Sequence, residues 1–315
     1  MVYIIVAIAL LCLTIKGYCG KKTSIYVRDT SDSFLFNLLR MVFCIFIGIA
    51  FVFAEGAQGA LLIESKMLWI CVLSGMANAA FLVGWLLAIQ KNSMVSVDVS
   101  LTLGSIIPAI LCALLFGEAI SIPKMLGFAL IIAATFILAG HAKKKGSFGI
   151  IGILLLLFAT VGDGLSGFAQ QLYKQYYTAD GLHANSIYYP KTVYHFYTYV
   201  FAAILLLIVL IAYRIATVKR ASDSEGSKDK RLLPPKNVVL HIFIMAVCLF
   251  AANYLQTVAT NDYGMPSQVL YPVIKGGCLI TVNFVAMIFF GEKITKRSIL
   301  GTLTALAGII SMSVL

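Results

Sequence analysis

The chain has 315 residues, of which 61% are hydrophobic and 12% charged, and its mean hydropathy is +0.96. Soluble domains carry about 25% charged residues, so this composition excludes an ordinary soluble enzyme and describes an integral membrane protein. A net charge of +11 would point to nucleic acid in a soluble chain. Here the basic residues gather between apolar runs, so they set topology and no nucleic-acid partner is expected.

The runs reach the about 18 residues that a spanning helix needs, which favours helices over the alternating strands of a β-barrel. In chain order, ten spans are predicted, at 2–19, 33–54, 67–90, 94–117, 122–141, 148–173, 190–213, 237–261, 266–290 and 295–315. The first is short, carries Lys16 near its end, and lacks the basic leader and A-x-A site of a signal peptide. Seven cysteines lie mostly inside apolar runs with no CxxC pair, and read as packing thiols. No metal or other cofactor is expected.

Odd-numbered connections hold 17 Lys and Arg residues and even-numbered ones hold 4, namely Lys66, Lys124, Lys174 and Lys191. The positive-inside rule therefore puts the odd connections in the cytoplasm and both termini outside. Residues 214–236, "RIATVKRASDSEGSKDKRLLPPK", form the long polar stretch and read as a flexible cytoplasmic loop.

The chain also repeats. "FGEAISIPKMLGFALIIAATFIL" at 116–138 matches "FGEKITKRSILGTLTALAGIISM" at 290–312, pairing Glu118 with Glu292 and Gly127 with Gly301. Upstream, Ala77-Asn78 matches Ala252-Asn253. Spans three to five thus correspond to spans eight to ten. Two five-span halves, 1–145 and 146–315, follow, and an odd span count makes them enter the membrane in opposite senses.

At these residues the chain resembles the drug/metabolite transporter superfamily, in its ten-helix, EamA-like branch. The resemblance rests on Arg40 in "FNLLRMVF", the "LAIQKNSMVS" stretch, Pro108 in "GSIIPAILCALLFGE" and Gly127 in "KMLGFALIIA". In the second half it rests on "TVATNDYGMPS", "FFGE" and "ILGTLTALAG". It implies an all-α bundle of two inverted five-helix repeats around a solute cavity, working by alternating access without nucleotide hydrolysis. Many members place both termini in the cytoplasm, and the charge count of this chain points the other way. The family moves amino acids, nucleobases, sugars, sugar phosphates and drugs, so the resemblance names no substrate.

Ionisable residues deep in a span cost at least about 2.5–3.5 kcal/mol and mark functional sites by default. Lys275, in "YPVIKGG", lies roughly 13 Å into the ninth span at 1.5 Å per residue. It can hold an anionic solute group or pair with a carboxylate, and the repeat-equivalent stretch 101–104 carries no charge. Asp163, in "ATVGDGLSGFAQ", can couple a proton or cation, or act as counter-ion to Lys275. Arg40 fits a helix anchor bonded to loop carbonyls better than a solute ligand. Asp98, a turn into the fourth span, reads as wetted from the cytoplasmic boundary. Tyr271 shares a helix face with Lys275. Asn78, Trp85, Asn253 and Gln256 complete the candidate lining. The aromatic stretch "IYYPKTVYHFYTYVF" reads as an interfacial belt, and Glu118 and Glu292 as loop locks.

The G-x-G-D pattern of intramembrane aspartyl proteases fails at Thr160, and no H-E-x-x-H, G-x-S-x-G or P-loop occurs. No enzyme is expected. The reading is a secondary carrier of a small organic solute, possessing an acidic group held by Lys275, Tyr271 and Arg40, in a plasma membrane, most simply a bacterial inner membrane. Its alternatives are an efflux carrier of apolar or cationic compounds, or a non-transporting receptor or scaffold. The small-residue face Gly301, Ala305 and Gly308 suits packing on the fifth span or between subunits, hence a monomer or a homodimer.

Overall fold

A computed structural model describes residues 1–91, 94–117, 120–142, 150–177, 188–221, 234–265, 267–292 and 295–313. These form α1 (Val2–Ser24), α2 (Thr30–Ala54), α3 (Ser65–Lys91), α4 (Met94–Leu101), α5 (Ile106–Phe116) and α6 (Ile122–Ala142). The chain continues through α7 (Ile150–Tyr177), α8 (Lys191–Ala221), α9 (Lys236–Asn261), α10 (Ser267–Phe290) and α11 (Lys296–Ser313). No strand occurs among the described residues. Eight helical segments are long and apolar enough to cross a membrane, and the apolar helix Ile122–Ile137 is shorter. That is the make-up of a multi-pass membrane protein.

Helices of this length arise because a bilayer offers no water to backbone groups, so each span must close its own hydrogen bonds. The outer faces agree: Leu114, Ile122, Phe136 and Ile288 are exposed, as side chains against hydrocarbon should be.

Elements differ from expectation in two ways. The predicted fourth span is α4 and α5 joined by a 3₁₀ turn, Thr102–Ser105. Pro108 has no N–H for the carbonyl of Gly104, four residues back, and its ring crowds that carbonyl. The turn is held by hydroxyls: Thr102 Oγ1 donates to Val99 O at 2.6 Å and Ser105 Oγ to Thr102 O at 2.6 Å. Secondly, α1 runs to Ser24 and α8 to Ala221, so part of the predicted loop 214–236 is helical. Its residues 222–233 lie outside the described residues, as does Glu118.

Helix pairing is regular. α1 packs on α9, and α7 packs on α3. α2 packs on α8, and α6 on α11. Glycines set the closest of these approaches. A Cβ on Gly162 of α7 would stand 2.5 Å from Phe81 N and 2.8 Å from Ala77 O of α3. Because those are backbone atoms, they have no rotamer to move. Gly162→Leu should therefore cost about 1–3 kcal/mol or more, read as a lower unfolding midpoint of the detergent-purified protein. Gly127 and Gly308 play the same part at the α6–α11 contact, each facing the other's carbonyl. The small-residue face of the last helix is thus used within the chain, with Ala305 buried beside Ile131 and Ala134.

Candidate functional site

A cavity of ≈ 140 Å³ lies where α1, α3, α4, α5, α7, α9 and α10 converge. All of these helices except α5, which contributes Pro108, deliver a polar or charged group to it. α10 gives Lys275 and Tyr271, α7 gives Asp163, α9 gives Asn253 and Gln256, and α3 gives Asn78 and Trp85. Seven of the eight candidate residues named from sequence are therefore brought together.

Lys275 and Asp163 meet directly. Lys275 Nζ donates to Asp163 Oδ2 at 2.5 Å, with side-chain exposures of 23% and 17%. Each is too enclosed for water to replace the other, so the pair is a structural element of the cavity wall as well as a candidate site. Gly104, in the 3₁₀ turn, faces Asp163 at a distance that a larger residue would close. The broken span thus makes room for the carboxylate. Gly277 does the same for α1: a Cβ there would lie 1.9 Å from Leu10 Cδ1. The Gly276-Gly277 pair thus serves close packing, and α10 stays α-helical through it.

Tyr271 is tied into a chain of polar groups. Its hydroxyl donates to Gln170 Oε1 at 2.6 Å, and Gln170 Nε2 donates to Thr257 Oγ1 at 2.5 Å. Thr257 Oγ1 also lies 3.0 Å from His195 Nε2. Asn78 Nδ2 donates to Ser166 Oγ at 2.9 Å, joining α3 to α7, and Asn253 Nδ2 donates to Tyr199 OH at 3.0 Å, joining α9 to α8. Gln256 Nε2 donates to Ala252 O of its own helix. The repeat-equivalent asparagines thus each bridge helices.

Arg40 is apart. It is fully buried and outside the cavity lining. Its Nη2 donates to Met245 Sδ at 3.1 Å, and the guanidinium lies 5.7 Å from the Trp85 ring. Its Nε and Nη1 have no partner among the described residues. It therefore does not anchor loop carbonyls and does not reach the cavity. Trp85 stands between the two regions, lining the cavity with one part and facing Arg40 with another.

Two residues belong to the cavity that sequence placed elsewhere. Asp98, read as wetted at the boundary, lines it. So does Lys16, read as the end of a short first span. Because α1 continues to Ser24, Lys16 sits eight residues, or roughly 12 Å, from the helix end. The signal was present in "KGYCGKKTS": small and basic residues after Lys16 that a helix can continue through. The aromatic stretch also differs from the expected belt. Tyr189, Tyr194 and Tyr199 are buried, with Tyr194 stacked on Tyr173 at 4.5 Å between centroids and bonded to Ser74. Among the described residues of the stretch, only Tyr188 is exposed.

One end of the bundle is laced together by polar side chains. Glu292 accepts from Met94 N at 3.1 Å and lies 3.6 Å from Lys21 Nζ, which also donates to Ile89 O at 3.0 Å. Gln90 Nε2 donates to Val27 O beside them. α1, α3, α4 and α10 are thereby laced together at the end that carries the basic connections. The opposite end has ties of its own, Lys191 to Asp262 at 2.7 Å, Tyr177 to Glu64 and Tyr254 to Glu55, but α5 packs on α7 and no comparable α5–α10 interface forms there among the described residues. Glu292→Gln keeps an acceptor for Met94 but removes the charge. It should weaken the lacing by about 1 kcal/mol, roughly fivefold in the closed-to-open ratio. Labelling of the cavity thiol Cys278 by a thiol reagent from the laced side, in a Cys12→Ser background, should rise accordingly. An unchanged labelling rate would mean that Glu292 does not hold the lacing.

No group of His, Cys, Asp and Glu that could hold a metal ion occurs among the described residues. No family model matches the chain, and no curated protein does. A solved structure described only as "Crystal structure of protein" is similar over 98% of this chain and 95% of its own, with a TM-score of 0.65 and 13% identity. That similarity concerns the fold alone.

Proposed function

We propose that the protein is a secondary carrier of a small organic solute, working by alternating access around the cavity at Lys275 and Asp163. In this reading α4 and α5 make one span, so that with α6 and α11 the chain crosses ten times as two inverted halves. The helix pairing supports it. Exchanging each span with the one five later turns α1–α9 into α7–α3, and returns α2–α8 and α6–α11 to themselves. Such self-mapping is what an inverted repeat requires, and transporters so built bind solute at the interface of the halves.

The observation that carries the reading is a polar, charged cavity between the helices, laced at one end by Glu292, Lys21 and Met94 and without an α5–α10 interface among the described residues at the other. By the charge rule the Glu292 end is cytoplasmic, and the lack of an α5–α10 interface among the described residues at the other end supports an outward-facing conformation. Plasma membrane residence and likeness to the EamA-like carriers belong to the same proposal. A channel is disfavoured by the lacing at the Glu292 end.

The test is counterflow in proteoliposomes. Purified protein, preloaded on one side with unlabelled solute, should accelerate entry of the labelled solute, across a panel of anionic, zwitterionic and cationic compounds. An imposed proton gradient tests coupling through Asp163. Equilibration without acceleration by internal solute, or no movement of any compound, overturns the carrier reading.

A further inference from the structure

Four charged side chains line the cavity, and only two of them answer each other. Lys275 and Asp163 are in contact. Lys16 is not neutralised: it is 7% exposed, and among the described residues it makes no ion pair or hydrogen bond. Its ammonium instead lies 5.1 Å from the centre of the Phe81 ring and 5.3 Å from that of Trp85. Asp98 lines the same cavity from α4, again with no ion pair among the described residues.

An ammonium held this deep is expensive unless something anionic meets it, and two aromatic faces offset only part of that cost. A carboxylate carries the same requirement with the sign reversed. The formal charges of Lys16, Lys275, Asp98 and Asp163 cancel. A solute of net charge would therefore leave the cavity unbalanced, whereas one carrying both signs would satisfy Lys16 and Asp98 together. The rest of the wall combines the uncharged polar groups described above with the apolar Leu13, Leu101, Leu279 and Val282. The cavity volume of ≈ 140 Å³ corresponds to roughly ten water-sized positions, hence to a solute of a similar number of heavy atoms.

The geometry points to a zwitterion subsite, with a solute carboxylate on Lys16 over Phe81 and Trp85, a solute cation on Asp98, and a short carbon chain between them. This assignment rests on the carrier reading for its biological sense, but it moves the anion-holding role from Lys275 to Lys16. Lys275 and Asp163 then keep the wall neutral.

The probes are glycine, β-alanine, γ-aminobutyrate and leucine, with the N-acetyl form of each (anionic) and the methyl ester of each (cationic). Binding to the purified full-length protein is read as ligand-induced stabilisation. At least one zwitterion should bind, and both of its derivatives should bind at least about tenfold more weakly. In Lys16→Gln the methyl ester should bind as well as its parent, and in Asp98→Asn the N-acetyl form should. The ligand-free unfolding midpoint reports folding of each variant; should Lys16→Gln not fold, Asp98→Asn and the wild-type selectivity carry the test. Derivatives that bind as tightly as their parents, or failure of every probe to bind, overturn the subsite. Binding without counterflow sinks the carrier reading and leaves the subsite standing. Counterflow without charge selectivity does the reverse.

Discussion

Asp163→Asn should lower stability by about 3–5 kcal/mol, because it leaves the Lys275 ammonium enclosed without its counter-charge. Both side chains are less than a quarter exposed, so solvent screening does not rescue the survivor as it would at a surface pair. The double variant Asp163→Leu/Lys275→Met removes both charges and should recover most of the loss, since two apolar groups need no partner. Thermal unfolding of the detergent-purified parent, Asp163→Leu, Lys275→Met and the double variant gives the coupling energy directly. If Asp163→Asn unfolds with the parent, the pair is not held as described. If the double variant is as weak as the single ones, the loss lies in packing.

Trp85→Ala should be as severe, at about 3–5 kcal/mol for truncating a buried aromatic. Trp85 is 2% exposed and packs in the largest core cluster. Its ring also faces two cations, Lys16 and Arg40. Arg40 already lacks partners for two of its nitrogens among the described residues, so without the indole it keeps only the Met245 sulfur. Trp85→Phe retains an aromatic face and should recover a substantial part. The two variants compared by unfolding midpoint separate lost volume from lost cation–π contact. Equal losses in Ala and Phe would show that neither aromatic face nor bulk at this position matters, only the indole itself. Gly20 of α1 leaves space for the indole edge: a Cβ there would lie 2.1 Å from the ring. Gly20→Ala should therefore disturb the same contact from the other side.

Much of the cavity was legible in the chain. An ionisable residue near mid-span is costly, so Lys275 and Asp163 could be picked out by depth alone, and their pairing was one of the stated outcomes. Tyr271 followed from helical spacing, and Asn78 and Asn253 from the repeat. Glu292 could be named a lock because it ends an apolar span next to a loop, and its bonds to Met94 N and Lys21 fit that role. Lys16 was missed because depth was counted from an assumed span end at 19, whereas α1 runs to Ser24; a few residues of error there moves a side chain from the interface to the midplane. Asp98 was missed although its span starts where expected, at Met94, because only the packing of α4 shows that it lines the cavity.

What the sequence determined by itself was the class of molecule: apolar runs of spanning length, their number to within the two that fall short of a clear membrane segment, and the basic connections on one side. These depend on composition and local hydrogen bonding, which a chain carries wherever it folds. Only the tertiary structure decided which charges meet and which stand alone. Lys275 and Asp163 are far apart in sequence, and nothing in either neighbourhood specifies the other. Their contact, the exile of Arg40 behind Trp85, and the unanswered charges of Lys16 and Asp98 come from how close the glycine-bearing faces of α3, α7, α10 and α1 allow the helices to approach. Helix packing in a membrane has no hydrophobic drive to fix it, so that spacing is set by the fit of particular side chains and is settled only when all the helices are in place.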